Sequence, residues 1–345
     1  MNGRSARFWL TGGVCVAAGL LLSLLMPEAF GGWLIGLVFW SSLPLGGLVL
    51  IMMIRIIPGE WGRQLSDPAE AAVLVLPLIF LAALPMLVGL GALYPWTEET
   101  EEGFRSFYLV PWSFTLRTIL FLALTMGLAL ILLARPRWSM PAAVAGLIVF
   151  VPFHTVIAFD WLMSLDSAFH SSGFGLYVLS IQVTIALCLL ILVHLVMEPR
   201  DTGVLGGVLL STLLLWAYFS FMQFFIIWST DLPHRVAWYQ HRSGGAWTAV
   251  IWIVAALHFV PTFLLFFTPF RRERRWLMRF CVAILLGKAL EVCWLVLPDT
   301  SAGLPAIAVA LLSLTGMGLL MAAALPEARR RRNQLTTAGE REVAS

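Results

Sequence analysis

Charge is scarce in this sequence. Of its 345 residues only 12% are Asp, Glu, Lys or Arg, against 60% hydrophobic residues and a mean hydropathy of +0.90. Soluble globular domains carry about 25% charge, so this balance excludes that class. The net charge of +3 comes from arginines at the edges of apolar runs, which reads as membrane topology and not as a nucleic-acid surface. Cysteine is nearly as rare. Cys15, Cys188, Cys281 and Cys293 all fall inside apolar runs with no CxxC or CxxCH spacing. That excludes a disulfide framework, an iron–sulfur ligand set and a covalently attached haem. Gly-rich phosphate loops are missing, and Gly31-Gly32 and Gly244-Gly245 read as helix entries. No stretch is composed like a soluble domain. The closing PEARRRRNQLTTAGEREVAS is too polar to bury a core and reads as a cytoplasmic tail over 326–345.

What the chain has in quantity is long apolar runs. A helical span needs about 20 mostly apolar residues. Ten such runs lie near 8–26, 31–57, 69–94, 112–134, 141–164, 172–197, 203–229, 246–270, 275–297 and 303–325. None alternates apolar and polar residues as the strands of an outer-membrane barrel do. The expectation is an all-α, polytopic integral membrane protein with about ten transmembrane helices packed as a bundle over 1–325. The first run follows Arg4 and Arg7 but lacks a small-x-small cleavage site, its exit reading LLMPEAFGG, so it reads as a retained helix.

Orientation follows from counting. With the N-terminus in the cytoplasm, 17 of the 22 basic residues fall on the inner side, including Arg55, Arg63, Arg135, Arg137, Arg200, Arg271 to Arg279 and Arg329 to Arg332. Only Arg105, Arg117, Arg235 and Arg242 fall outside, and Lys288 lies within a span. This bias predicts both termini inside. The outer tract TEETEE (Thr97 to Glu102) reads either as a solvated loop or as a docking surface for a basic partner such as a soluble cytochrome.

Any chemistry must come from polar side chains within the spans, where a central charge costs roughly 2.5–3.5 kcal/mol and so faces the bundle interior or a water-filled cavity. The run VPFHTVIAFDWLMSLD (Val151 to Asp166) places His154 roughly 18 Å from the inner boundary at about 1.5 Å per residue, with Asp160 about 9 Å further out and Asp166 at the surface. His258, in WTAVIWIVAALHFVP, and Lys288 and Glu291, in WLMRFCVAILLGKALEVCWLVLP, fall at matching depth on two other helices. Tyr218, Ser220 and Gln223 extend that layer outward. Plainer readings stand beside this one: Lys288 and Glu291 as a neutralising pair, each histidine as a helix–helix bond, Asp160 as a loop cap, and Trp161, Trp228, Trp238 and Trp247 as an interfacial belt. Two histidines at equal depth also admit a bis-His haem b, and midplane charge admits a proton-coupled permease, although no inverted repeat is visible.

The segments AFDWLMSLDSAFHSSGFGLYV (Ala158 to Val178) and LLWAYFSFMQFFIIWSTDLPHRVAWYQHR (Leu214 to Arg242) resemble the smaller ten-span membrane subunit, of ActF type, of bacterial alternative complex III. That complex passes electrons from quinol to cytochrome c or another periplasmic acceptor. The resemblance covers the fifth to eighth runs. It implies a multi-pass protein of the bacterial cytoplasmic (inner) membrane with no redox cofactor in this chain. The quinol site, haems and iron–sulfur centres would lie in partner subunits: a related polytopic quinol-binding subunit, a multihaem cytochrome and an iron–sulfur subunit. It further implies a contribution to a transmembrane proton route, with Asp160, Tyr218, Ser220 and Gln223 carried over by motif position. His154, His258, Lys288 and Glu291 rest on the depth argument alone.

Topology gives the first test. A reporter fused after Arg332 is expected on the cytoplasmic side of the membrane and one inserted near Thr100 on the periplasmic side, as scored by compartment-specific fluorescence. Opposite labelling would reject the depth assignments.

Overall fold

The computed structural model describes residues 3–98, 103, 105–134, 139–197, 202–230, 232–300 and 302–344. Among them there are helices and no strands. The main elements are α1 (Gly3–Leu25), α2 (Phe30–Ile56), α3 (Glu60–Val73), α4 (Leu76–Val88), α5 (Pro111–Ala134), α6 (Ser139–Trp161), α7 (Phe174–Met197), α8 (Gly203–Thr230), α9 (Pro233–His241), α10 (Ala246–Leu265), α11 (Arg274–Val296) and α12 (Leu304–Ala344). Among the described residues eight helices are long and apolar enough to cross a membrane, or nine if the bent pair α3–α4 is one span.

The two departures from the expected runs have physical causes. The third run is a pair of helices bent by 46°. Pro77 has no N–H for the Val73 carbonyl and its ring clashes with that carbonyl, so the helix breaks between Val73 and Leu76. The ninth run forms the continuous helix α11, but Arg274, Arg275, Arg279, Lys288 and Glu291 make it too polar to pass as a span by composition. The closing residues also differ from a plain polar tail. Helix α12 runs on through Pro326 to Ala344, and Arg332 bonds Asp67 and Glu70 of α3 at 2.6 and 2.7 Å.

Helix α2 is the hub. Of its 27 residues 22 are buried, because α12, α7, α3, α6, α11 and α4 surround it. Trp33 and Trp40 send their indole N–H groups to the carbonyls of Ala82 and Leu314, and Ser313 donates to the Gly32 carbonyl. Large apolar side chains such as Leu10, Leu81, Ile148, Trp252 and Phe263 point outward from the bundle, as expected of helices solvated by lipid. The entry of α10 agrees with its sequence: Gly245 sits at φ 57° just before Ala246, a left-handed conformation that glycine adopts without steric cost.

Arginine is segregated. Arg55 of α2 and Arg332 of α12 meet at Glu70. Arg274 donates to the Leu195 carbonyl and Thr202 to that of Arg272, while Arg329 reaches Met197, so these ends of α2, α3, α7, α8, α11 and α12 share one side. Helix α1 lies antiparallel to α12, Gly12 facing Gly316 and Gly19 facing Leu312, which brings its start to that side too. Arg135, Arg137, Arg200 and most of the acidic tract (Glu99, Thr100, Glu101 and Glu102) lie outside the described residues.

Close approach of α2 and α7 depends on Gly46. A Cβ there would lie 2.6 Å from the Ala186 Cβ and the Gln182 carbonyl oxygen. Gly46→Leu is expected to force these helices apart and cost about 1–3 kcal/mol or more, as overpacked cores do. Gly127→Leu on α5, where nothing lies within 4 Å of an added Cβ, should be neutral. Thermal unfolding of the detergent-solubilised variants compares the two.

Candidate functional site

Lys288, Glu291 and His258, placed at one depth by sequence, come together. Glu291 is 1% exposed and both its oxygens are held. Oε2 accepts from the Lys288 ammonium at 2.8 Å, and Oε1 accepts from the Tyr177 hydroxyl at 2.6 Å and the Trp216 indole N–H at 3.0 Å. Lys288 and Glu291 meet because residues three apart on a helix share a face. The other donors come from α7 and α8. Trp216 also receives Lys288, whose Nζ lies 3.7 Å from its ring centroid, and stacks on His258 at 4.3 Å. Such cation–π contact is worth more where water is excluded.

His258 closes the group from α10. Its Nδ1 pairs with the Val254 carbonyl at 2.7 Å, which fixes the ring, while its buried Nε2 has no hydrogen-bond partner and stands 4.0 Å from Glu291 Oε2. Four helices thus bring a carboxylate, an ammonium, a phenol, an indole and an imidazole into one buried cluster. At 4.0 Å the gap from His258 Nε2 to Glu291 Oε2 is longer than a hydrogen bond, and a small tilt of the ring would close it.

His154 sits elsewhere. Its Nε2 pairs with Gln182 Oε1 at 2.8 Å and its ring stacks on Phe150, leaving Nδ1 without a partner. A cavity of about 10 Å³ beside it, lined in part by Val38, Ile157 and Gln182, is about the size of one water. His154 and His258 therefore occupy different surroundings, one among phenylalanines and one on Trp216.

Asp160 is buried against α5. Arg117 Nε donates to Oδ2 at 2.7 Å and its terminal nitrogen to Oδ1 at 3.1 Å, while the guanidinium also bonds Ser113 and the Tyr108 carbonyl and lies over the Tyr108 ring. A two-pronged arginine–carboxylate pair is the strongest of the side-chain bonds. Asp166 accepts from the Ala168 backbone N–H and so shapes the turn after α6. Gln223 is buried and accepts from Ser171, which joins the two resembling segments, and its amide nitrogen lacks a partner. Ser220 is half-buried, and Tyr218 points out of the bundle at 55% exposure.

Sequence reasoning missed Tyr177, Trp216, Gln182 and Arg117 as partners. It also missed Arg242, which is 1% exposed, ion-paired to Asp299 and laid over Trp238. Burial pushes the Asp299 carboxyl above its ordinary value, and Arg242 pulls it the other way. Among the described residues, no group of three or more His, Cys, Asp or Glu side chains is placed to hold a metal ion.

The Arg117–Asp160 pair can be tested by stability. Arg117→Met leaves a buried carboxylate unpaired and is expected to cost about 3–5 kcal/mol, while Arg117→Met combined with Asp160→Asn should recover most of that loss. Denaturant unfolding in detergent reads the difference, and equal losses would mean that the pair is not coupled. Comparison with known protein families and with curated proteins finds no match to this chain.

Proposed function

We propose that the chain is a cofactor-free membrane subunit of a quinol:cytochrome c oxidoreductase of the alternative complex III kind, and that it contributes a proton route across the bacterial cytoplasmic membrane. On this reading it has ten spans with both termini inside, and the redox centres belong to partner subunits. The observation that carries the proton role is the unpartnered His258 Nε2 beside Glu291 at the meeting of four helices. Quinol oxidation releases protons together with electrons. A chain buried in hydrocarbon handles protons only through titratable groups held near one another and away from bulk water.

Membership of the complex rests on the two resembling segments. The two segments touch through Ser171 and Gln223, so they form one region of the bundle. Tyr177 and Gln182 stand five residues apart on α7, about 7.5 Å along the axis and about 140° around it, so the Glu291 cluster and the His154 pair lie on different faces of that helix.

The test uses the assembled complex. His258→Phe, and Lys288→Met combined with Glu291→Gln, are expected to co-purify with the partner subunits while proton-coupled turnover falls about a hundredfold, the lower end of what a positioned proton carrier contributes. A pH-sensitive dye in vesicles follows the protons. Normal turnover and proton release in both variants would remove the proton role, and absence of any haem-bearing or iron–sulfur partner on purification would remove the complex. Asp160→Asn is the poorer probe, because it also unpairs Arg117.

A further inference from the structure

We infer that the arginine-rich end of the bundle holds a phospholipid, in a site apart from the Glu291 cluster. A cavity of about 950 Å³ opens between α2, α3, α7 and α12. Small-molecule sites run to about 300–1,000 Å³, so this one accepts a large ligand. Its floor is apolar, formed by Trp40, Leu43, Leu190 and Met321. Its rim is ionic and carries Glu60, Arg63, Asp67, Arg329 and Arg330. Gly318 and Arg330 both line it, and twelve residues of helix set them roughly 18 Å apart along the axis. The cavity therefore grades from apolar near the middle of the spans to charged at their end, the polarity of a lipid lying in its own leaflet.

The rim favours an anion. Its two carboxylates are already engaged, Glu60 with Arg63 at 3.0 Å and Asp67 with Arg332 at 2.6 Å. Arg329 lies 3.8 Å from Asp67 and otherwise donates to the Met197 sulfur, a weak acceptor. Arg330 lies 3.9 Å from Glu327 with its side chain 77% exposed. These two guanidiniums have long, loose ion pairs and keep forked N–H donors that match phosphate oxygens. A phosphodiester between them, with an acyl chain on Trp40 and Leu190, satisfies both ends of the cavity. An uncharged quinone head would use only the floor.

The full chain, purified in detergent and stripped of lipid, is titrated with phosphatidylglycerol and examined by native mass spectrometry. One saturable lipid per chain is expected. Arg329→Gln combined with Arg330→Gln should weaken its retention about tenfold or more, since one charge-assisted hydrogen bond is worth that factor. Ala322→Phe fills the cavity from an exposed lining position and should reduce binding with no change in melting temperature. Inorganic phosphate at equal concentration should not displace the lipid. Absence of saturable binding, equal binding by wild type and both variants, or displacement by an isoprenoid quinone or by inorganic phosphate would each overturn the assignment.

Discussion

A charge inside an apolar bundle must find its partners within the protein, and the tertiary arrangement here follows from that requirement. Glu291 is tolerated because three donors from three helices converge on it. Asp160 is tolerated because Arg117 crosses from α5 to meet it. Glu70 draws Arg55 and Arg332 together from α2 and α12. Apolar contact between helices is nearly indifferent to sliding and rotation, since lipid tails solvate a leucine as well as a neighbouring leucine does. Polar contacts are not indifferent: moving α8 by one turn, about 5.4 Å, would take the Trp216 indole from Glu291, and the same shift of α10 would take His258 away. Close packing at positions such as Gly46 then sets how near the helices come.

The helices themselves were legible because their length and hydropathy are properties of single segments. The break at Pro77 was not legible, since 69–94 reads as one run; Pro44, Pro152, Pro261 and Pro326 all lie inside helices that continue, so a proline alone does not announce a break. Counting residues put His154, His258, Lys288 and Glu291 at one depth, and the last three do meet. Such counting says nothing about direction around a helix axis, and His154 faces Phe150 and Gln182 instead. Periodicity supplies part of the missing information. At about 100° per residue, Tyr218 and Gln223 are about 140° apart on α8, while Trp216 and Gln223 fall within about 20°. Gln223 is buried, Trp216 is buried and Tyr218 looks outward, as that angle requires. Arg117 and Asp160 were beyond such reasoning, since pairing across 43 residues between two helices leaves no trace in the spacing of either.

The closing arginines show the same limit from the other direction. Composition marks RRRR as a flank that holds a helix end at the membrane surface, and Arg330 and Arg331 are exposed in keeping with that. Arg332 turns back instead. It is one of two arginines on Glu70, and through Asp67 it fastens the end of α12 to the amphipathic helix α3. Whether an arginine of such a run anchors to water or to protein depends on the carboxylates that the fold places beside it, here Asp67 and Glu70 of α3.

Burial with full satisfaction produces stability, and a relay needs one bond that can change. In the central cluster Glu291 is held at both oxygens, Lys288 is held by Glu291 and by the face of Trp216, and Tyr177 donates to Glu291. Each of these groups already makes a short bond, and of them Glu291 Oε2, with one donor, keeps a lone pair for a second. His258 differs. The Val254 carbonyl fixes one nitrogen, and the other stands 4.0 Å from a carboxylate with no bond to lose. An imidazole with one nitrogen anchored and one free can take up a proton and complete the network without dismantling it, at the cost of a small tilt against Trp216. If protons cross this bundle, His258 is the group through which the rigid part of the cluster becomes able to exchange them.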